Sequence, residues 1–137
     1  MGTVSLQWVK GQLFVGSDSN GHSFVVGRSP DEPSQWIGAK PSDLLLLATA
    51  ACASWDVVEI LAKQRQPLRD LQVRCTGEQM SDPPYTFTKI HLVYTAYGPV
   101  DPEKLEKAIQ LSEDKYCSVI STLRFAAPVT SEFEICP

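Results

Sequence analysis

The sequence predicts an α+β fold, short antiparallel strands gathered around one long buried helix, on three observations. Residues 40–66 carry an unbroken helical pattern whose first half is apolar on every side. Three short segments rich in Val, Phe, Leu and Trp, separated by turn residues, precede it. An alternating hairpin, a proline-started helix, a short helix and a closing alternating strand follow it.

The segments at 4–9, 12–17 and 22–27 are divided by Gly11 and by Ser17-Asp18-Ser19-Asn20-Gly21, which predicts a three-stranded antiparallel meander. Residues 28–40, with Pro30, Pro33 and Gly38, form a connecting loop in which Trp36 and Ile37 are placed to cover the start of the helix. Pro41 suits a first helical position, and Ser42 and Asp43 put a hydroxyl and a negative charge at the positive end of the helix dipole. From Leu44 to Ala53 only Thr49 is polar, so this half is expected to be wrapped in a core. Beyond Trp55 the pattern becomes amphipathic, with Asp56, Glu59 and Lys63 on one face opposite Val58, Leu61 and Ala62. Pro67 stops a rod of about 37 Å, long enough to cross an assembly such as a dimer.

Leu71, Val73 and Cys75 alternate with polar residues, and Asp82-Pro83-Pro84 turns the chain. Ile90, Leu92, Tyr94 and Ala96 then alternate with Lys89, His91, Val93 and Thr95, completing a hairpin. Asp101-Pro102-Glu103 starts a second helix with Leu105, Ala108, Ile109, Ser112 and Tyr116 on its inner face. Val119, Ile120 and Leu123 suggest a short helix that Ser118 could cap, which puts Cys117 beside a helix N-terminus. Val129, Ser131, Phe133 and Ile135 alternate as a closing strand. No repeat or low-complexity segment interrupts 1–137, which reads as a single domain.

With 12 Lys+Arg against 16 Asp+Glu and a net charge of -4, the chain lacks a basic footprint, so nucleic acid is not an expected partner. The N-terminus lacks a signal pattern, and the apolar run within 44–53 falls short of the ~20 residues of a bilayer span. A cytoplasmic protein with no membrane partner is expected. His22 and His91 fall on different strands with no zinc-site spacing, and no phosphate loop or nucleophile elbow occurs, so neither metal nor cofactor is expected.

Chemistry therefore rests on four cysteines, Cys52, Cys75, Cys117 and Cys136, which are either core thiols or reactive ones. A thiol reacts as thiolate, which a helix N-terminus or a cation favours and apolar surroundings disfavour. Cys117 has the better local electrostatics, whereas Cys52, among Ala50, Ala51 and Ala53, needs a cation from elsewhere. Cys75 faces inward on its strand and Cys136 is penultimate in the chain.

Gly38, Pro41 and Leu44 ahead of Ala51-Cys52, together with EDKYCSV around Cys117 between two helices, resemble the OsmC/Ohr family of thiol-dependent peroxidases over nearly the whole chain. The run at 56–66, the Gly21-His22 turn and PYTFTKIHL look most like the YhfA-like branch. The resemblance implies an intertwined homodimer whose paired central helices are wrapped by sheets. It implies that Cys52 is the peroxidatic and Cys117 the resolving cysteine. The mechanism that the resemblance implies is oxidation of Cys52 by an organic hydroperoxide to a sulfenic acid, which condenses with Cys117 to a disulfide that a dithiol reductant then reopens. The family's activating arginine is missing from the first loop, which reads GSDSNG. Its glutamate after the helix-opening proline is Ser42 here, and the proline after the second cysteine is Ser118. Arg28, Lys40, His22 and Arg124 are the candidate replacement cations. These departures also suit an alternative: a non-catalytic member that binds a small apolar or electrophilic ligand in the dimer cleft.

Overall fold

The computed structural model describes residues 2–137. In chain order it contains β1 (Ser5–Lys10), β2 (Leu13–Ser17), β3 (Ser23–Gly27), α1 (Pro41–Lys63), β4 (Asp70–Gln79), β5 (Phe87–Tyr97), α2 (Pro102–Leu111), a π-helical turn (Ser112–Tyr116), α3 (Ser118–Leu123) and β6 (Val129–Cys136). Every element expected from the sequence is present. Two compact units are formed, one ending at Leu45 and the other running from Leu46 to Pro137.

In the first unit, β1, β2 and β3 form the expected antiparallel meander. The β2–β3 turn closes because Asp18 Oδ1 accepts from the amides of Asn20 (2.9 Å) and His22 (2.8 Å), with Gly21 in the left-handed region at φ 85°. Gly38 is required by proximity, since a Cβ there would lie 2.5 Å from the Val25 carbonyl oxygen. All six residues of β1 are exposed, Leu6, Trp8 and Val9 among them.

In the second unit, β4 pairs antiparallel with β5, and β5 pairs parallel with β6. A parallel pair needs a crossover, which here is α2, the π-helical turn and α3. The alternation read from the sequence is the alternation observed. Ile90, Leu92, Tyr94 and Ala96 are buried, and Leu71, Val73, Cys75, Val129, Phe133 and Ile135 are half-buried against the same core. That core also takes Ala53, Val57 and Leu61 from α1, Leu105, Ala108 and Ile109 from α2, and Cys117 and Ile120.

Helix α1 departs from expectation in two ways. Within one chain its apolar first half is not wrapped all round. The buried residues Thr49, Ala53, Val57 and Leu61 form one stripe at four-residue spacing, while Leu47 is 64% and Trp55 77% exposed and Val58 and Ala62 lie outside the core. At 23 residues α1 is also long and apolar enough to cross a bilayer, beyond what its shorter uninterrupted run indicates, yet one stripe of it is committed to this core. The helix ends before Gln66 because Gln66 N donates to Leu61 O (2.9 Å) and Arg65 N to Ala62 O (3.0 Å), a Schellman closure with Arg65 in the left-handed region at φ 54°. The expected pair of Lys63 with Glu59 forms at 3.1 Å.

Candidate active site

The structure brings Cys52 and Cys117 together. Cys52 lies half-buried in the middle of α1, one residue before the buried Ala53, and Cys117 is 1% exposed at the junction of the π-helical turn with α3. The two thiols are near enough to interact, and Cys52 favours the protonated form of Cys117. Cys75 and Cys136 are free thiols on β4 and β6, and burial pushes the Cys75 thiol up from its ordinary value.

The seat of Cys117 comes from the π-helical turn. Sequence spacing carries the second helix on to Tyr116 as an inward residue, but α2 ends at Leu111 and the chain widens by one residue per turn, with Cys117 N donating to Ser112 O at 2.7 Å. This shift rotates Tyr116 outward, to 53% exposure, and Cys117 inward. Cys117 itself caps α3, its Sγ accepting from Ile120 N at 3.4 Å, so the cap expected of Ser118 belongs to Cys117. The amides of Ile120 and Val119 favour the thiolate. Burial and the neighbouring Cys52 outweigh them, and the Cys117 thiol is pushed up to about 11. Proximity to a helix start therefore does not make Cys117 the readier nucleophile, and none of the strongest influences on it is a cation.

Beside this pair lies a polar cluster of which the sequence signalled only the inward placement of Ser112. Ser112 Oγ donates to the carbonyl oxygen of Ala53 (2.9 Å), the residue after Cys52, and contacts Asp56 Oδ2 at 3.1 Å. Glu113, 9% exposed, accepts from the Tyr94 hydroxyl (3.0 Å) and from Ser131 Oγ (3.2 Å). Burial raises the Glu113 carboxyl above its ordinary range, partly offset by those two donors and by Arg124. Burial and the neighbouring Glu113 push the Tyr94 hydroxyl up, so it stays a donor throughout the neutral range.

The candidate cations are each engaged. His22 Nδ1 lies 2.8 Å from Asp18 Oδ2 in its own turn. Arg28 donates to Gln12 and lies over the Trp36 ring, as does Lys40, each 5.4 Å from the centroid. Trp36 and Arg28 also line a cavity of about 320 Å³ with Phe14, Val26 and Pro41, so of the two residues expected to cover the helix start Trp36 faces this cavity beside Pro41 while Ile37 is exposed. Arg124 pairs with Asp114 at 3.2 Å. Among the described residues, no group of three His, Cys, Asp or Glu side chains is gathered for a metal.

The family model for OsmC-like proteins matches residues 31–132. The chain belongs to the OsmC family. Protein YhfA of Escherichia coli K12 is 33% identical over 132 residues, covering 95% of each chain. The OsmC fold recurs in a hypothetical protein of Aquifex aeolicus, at a TM-score of 0.84 and 27% identity over 100% of this chain and 98% of that one. It recurs again in the organic hydroperoxide resistance protein OhrB of Bacillus subtilis, at 0.67 and 18% identity over 98% of each. The OsmC membership agrees with the resemblance carried by Gly38, Pro41, Leu44, Cys52 and Cys117.

Proposed function

We propose that this OsmC family member is a cytoplasmic, homodimeric thiol peroxidase that reduces organic hydroperoxides. The observation that carries the reading is the juxtaposition of a half-buried Cys52 with a fully buried Cys117. Access supports the order, because the half-buried Cys52 is more open to a hydroperoxide in solution than the buried Cys117. The Cys52 thiolate attacks the distal peroxide oxygen, the O–O bond breaks, the alcohol leaves with a proton, and Cys52 becomes a sulfenic acid. The Cys117 sulfur then attacks the Cys52 sulfur, water departs with the Cys117 proton, and a disulfide joins the two. An external dithiol restores both thiols. The name of the Bacillus subtilis OhrB supports the substrate class. Homodimer formation is supported by the uncovered faces, β1 and the Leu47, Trp55 and Val58 side of α1, which are apolar surface of the kind that marks an interface.

The test is mass spectrometry of the reduced protein after one equivalent of cumene hydroperoxide, beside Cys52→Ser and Cys117→Ser. Loss of two hydrogens in the wild type, with a trapped sulfenic acid on Cys52 only in Cys117→Ser, is the expected result. The engagement of His22, Arg28, Lys40 and Arg124 with other partners favours a second reading, a non-catalytic protein that binds a small apolar or electrophilic ligand in the dimer cleft. If all three proteins stay unoxidised, that reading replaces the first.

A further inference from the structure

The π-helical turn is fastened at two adjacent residues to two different walls of the core. Ser112 reaches α1 at Ala53 and Asp56, and Glu113 reaches the sheet at Tyr94 on β5 and Ser131 on β6. Both residues are buried, and Glu113 is a carboxylate placed among core side chains whose two oxygens accept from the hydroxyls of Tyr94 and Ser131. A buried carboxylate is costly, and a hydrophobic residue of similar size would pack there at less cost. π-Helical turns are also less favourable than continued α-helix and recur at functional sites. Here the turn carries Cys117, through the bond from its amide to Ser112 O, and Ser112 touches the residue next to Cys52.

We propose that Ser112 and Glu113 are positioning residues that hold the Cys117 sulfur against Cys52 and so set how readily the two thiols form a disulfide. The inference rests on reading the pair as a redox couple. Ser112 fixes the turn along α1 beside Cys52, and Glu113 fixes its rotation by tying it to two strands at once. Losing either anchor lets the turn relax toward α-helix, which moves Cys117 off Cys52 while leaving both thiols in the chain. Neither residue touches the reacting sulfurs, so neither is catalytic.

The experiment equilibrates the reduced full-length protein with glutathione buffers of graded ratio. Two electrons and two thiol hydrogens pass from Cys52 and Cys117 to glutathione disulfide, giving the protein disulfide and two glutathione thiols. Acid quenching, alkylation and mass spectrometry give the equilibrium constant. Ser112→Ala, which removes one hydroxyl, and Glu113→Ala are each expected to lower that constant by about tenfold to a hundredfold, the worth of one or two buried hydrogen bonds. Glu113→Gln, whose amide oxygen can accept from Tyr94 and whose amide can donate to Ser131, is expected to stay within about threefold of the wild type. Leu105→Ala, a core truncation on α2, reports loss of stability alone and is expected to leave the constant in place. Constants for Ser112→Ala and Glu113→Ala within about twofold of the wild type overturn the proposal, as does an equal fall in Leu105→Ala or a wild type that stays reduced at every ratio. No hydroperoxide enters this measurement. A protein inert to hydroperoxide whose glutathione equilibrium still moves with Ser112 and Glu113 sinks the peroxidase reading alone, and the reverse result sinks the positioning role alone.

Discussion

Tyr94→Phe removes one oxygen from the centre of the second unit and is expected to destabilise the fold in a pH-dependent manner. Tyr94 is fully buried and donates to Glu113 Oε1 at 3.0 Å, so the variant leaves the carboxylate with Ser131 as its remaining donor, at 3.2 Å. A hydrogen bond to a charged group contributes about 1.5–3 kcal/mol, and the ring itself is kept, so no large cavity opens. With a urea slope of about 1–3 kcal/mol per molar, the unfolding midpoint falls by about 1 M at fixed protein concentration. Burial holds the folded-state pKa of Glu113 above its ordinary value, so its contribution to stability is fully present below the unfolded value and is lost as pH rises through the folded one. The Tyr94 hydroxyl favours the charged form, and without it the folded pKa climbs further. The gap between wild type and Tyr94→Phe is therefore greatest above the folded value and closes as pH falls through it. Urea titrations across that range, followed by circular dichroism, check both statements. A midpoint unchanged at pH 8, or a gap that widens on acidification, refutes the account of the Glu113 cluster.

Three further outcomes are expected. A thiol at about 11 gains about tenfold in thiolate per pH unit below that value, so conversion of the Cys52 sulfenic acid to disulfide should accelerate steeply between pH 7 and 9 in quenched-flow measurements. A flat profile means that the Cys117 thiolate is not the attacking form. Arg65→Gly relieves a left-handed residue at the end of α1 and should raise stability by about 1 kcal/mol in the same urea assay. Trp55→Glu places a charge on the exposed apolar side of α1 and should shift the sedimenting species from dimer to monomer; a monomeric wild type would remove the interface from consideration.

Much of the fold was legible because its elements obey one period each. The residues of β5 at even positions from Ile90 to Ala96 are apolar and buried, and Val129, Ser131, Phe133 and Ile135 of β6 are the half-buried members of its alternation, so two-residue alternation located the inner face of the sheet. Asp101-Pro102 located α2, and Asp101 does cap it, accepting from Glu103 N at 2.9 Å. The parallel pairing of β5 with β6 was not legible, since alternation fixes the face of a strand and says nothing of its neighbour. The extent of cover on α1 was also hidden. An all-apolar pattern states that a surface must be buried somewhere, and one chain buries only the stripe from Thr49 to Leu61.

The site was legible only in its sulfurs. Cys52 and Cys117 stand 65 positions apart, 117 minus 52, and only their motifs suggested that they meet. Glu113 carries no sequence signal, because a glutamate in SEDKY reads as solvated helix surface, where most glutamates lie. The π-helical turn begins at Ser112, which stays inward as α-helical spacing predicts, and it changes the facing of Tyr116 and Cys117 beyond it. With α-helical spacing, Tyr116 would face the core; with the turn widened, Cys117 does, and the 2.7 Å bond from its amide to Ser112 O is the link that makes the exchange. A single inserted residue thus decides whether the second cysteine faces solvent or Cys52. A sequence pattern with a fixed 3.6-residue period has no term for it.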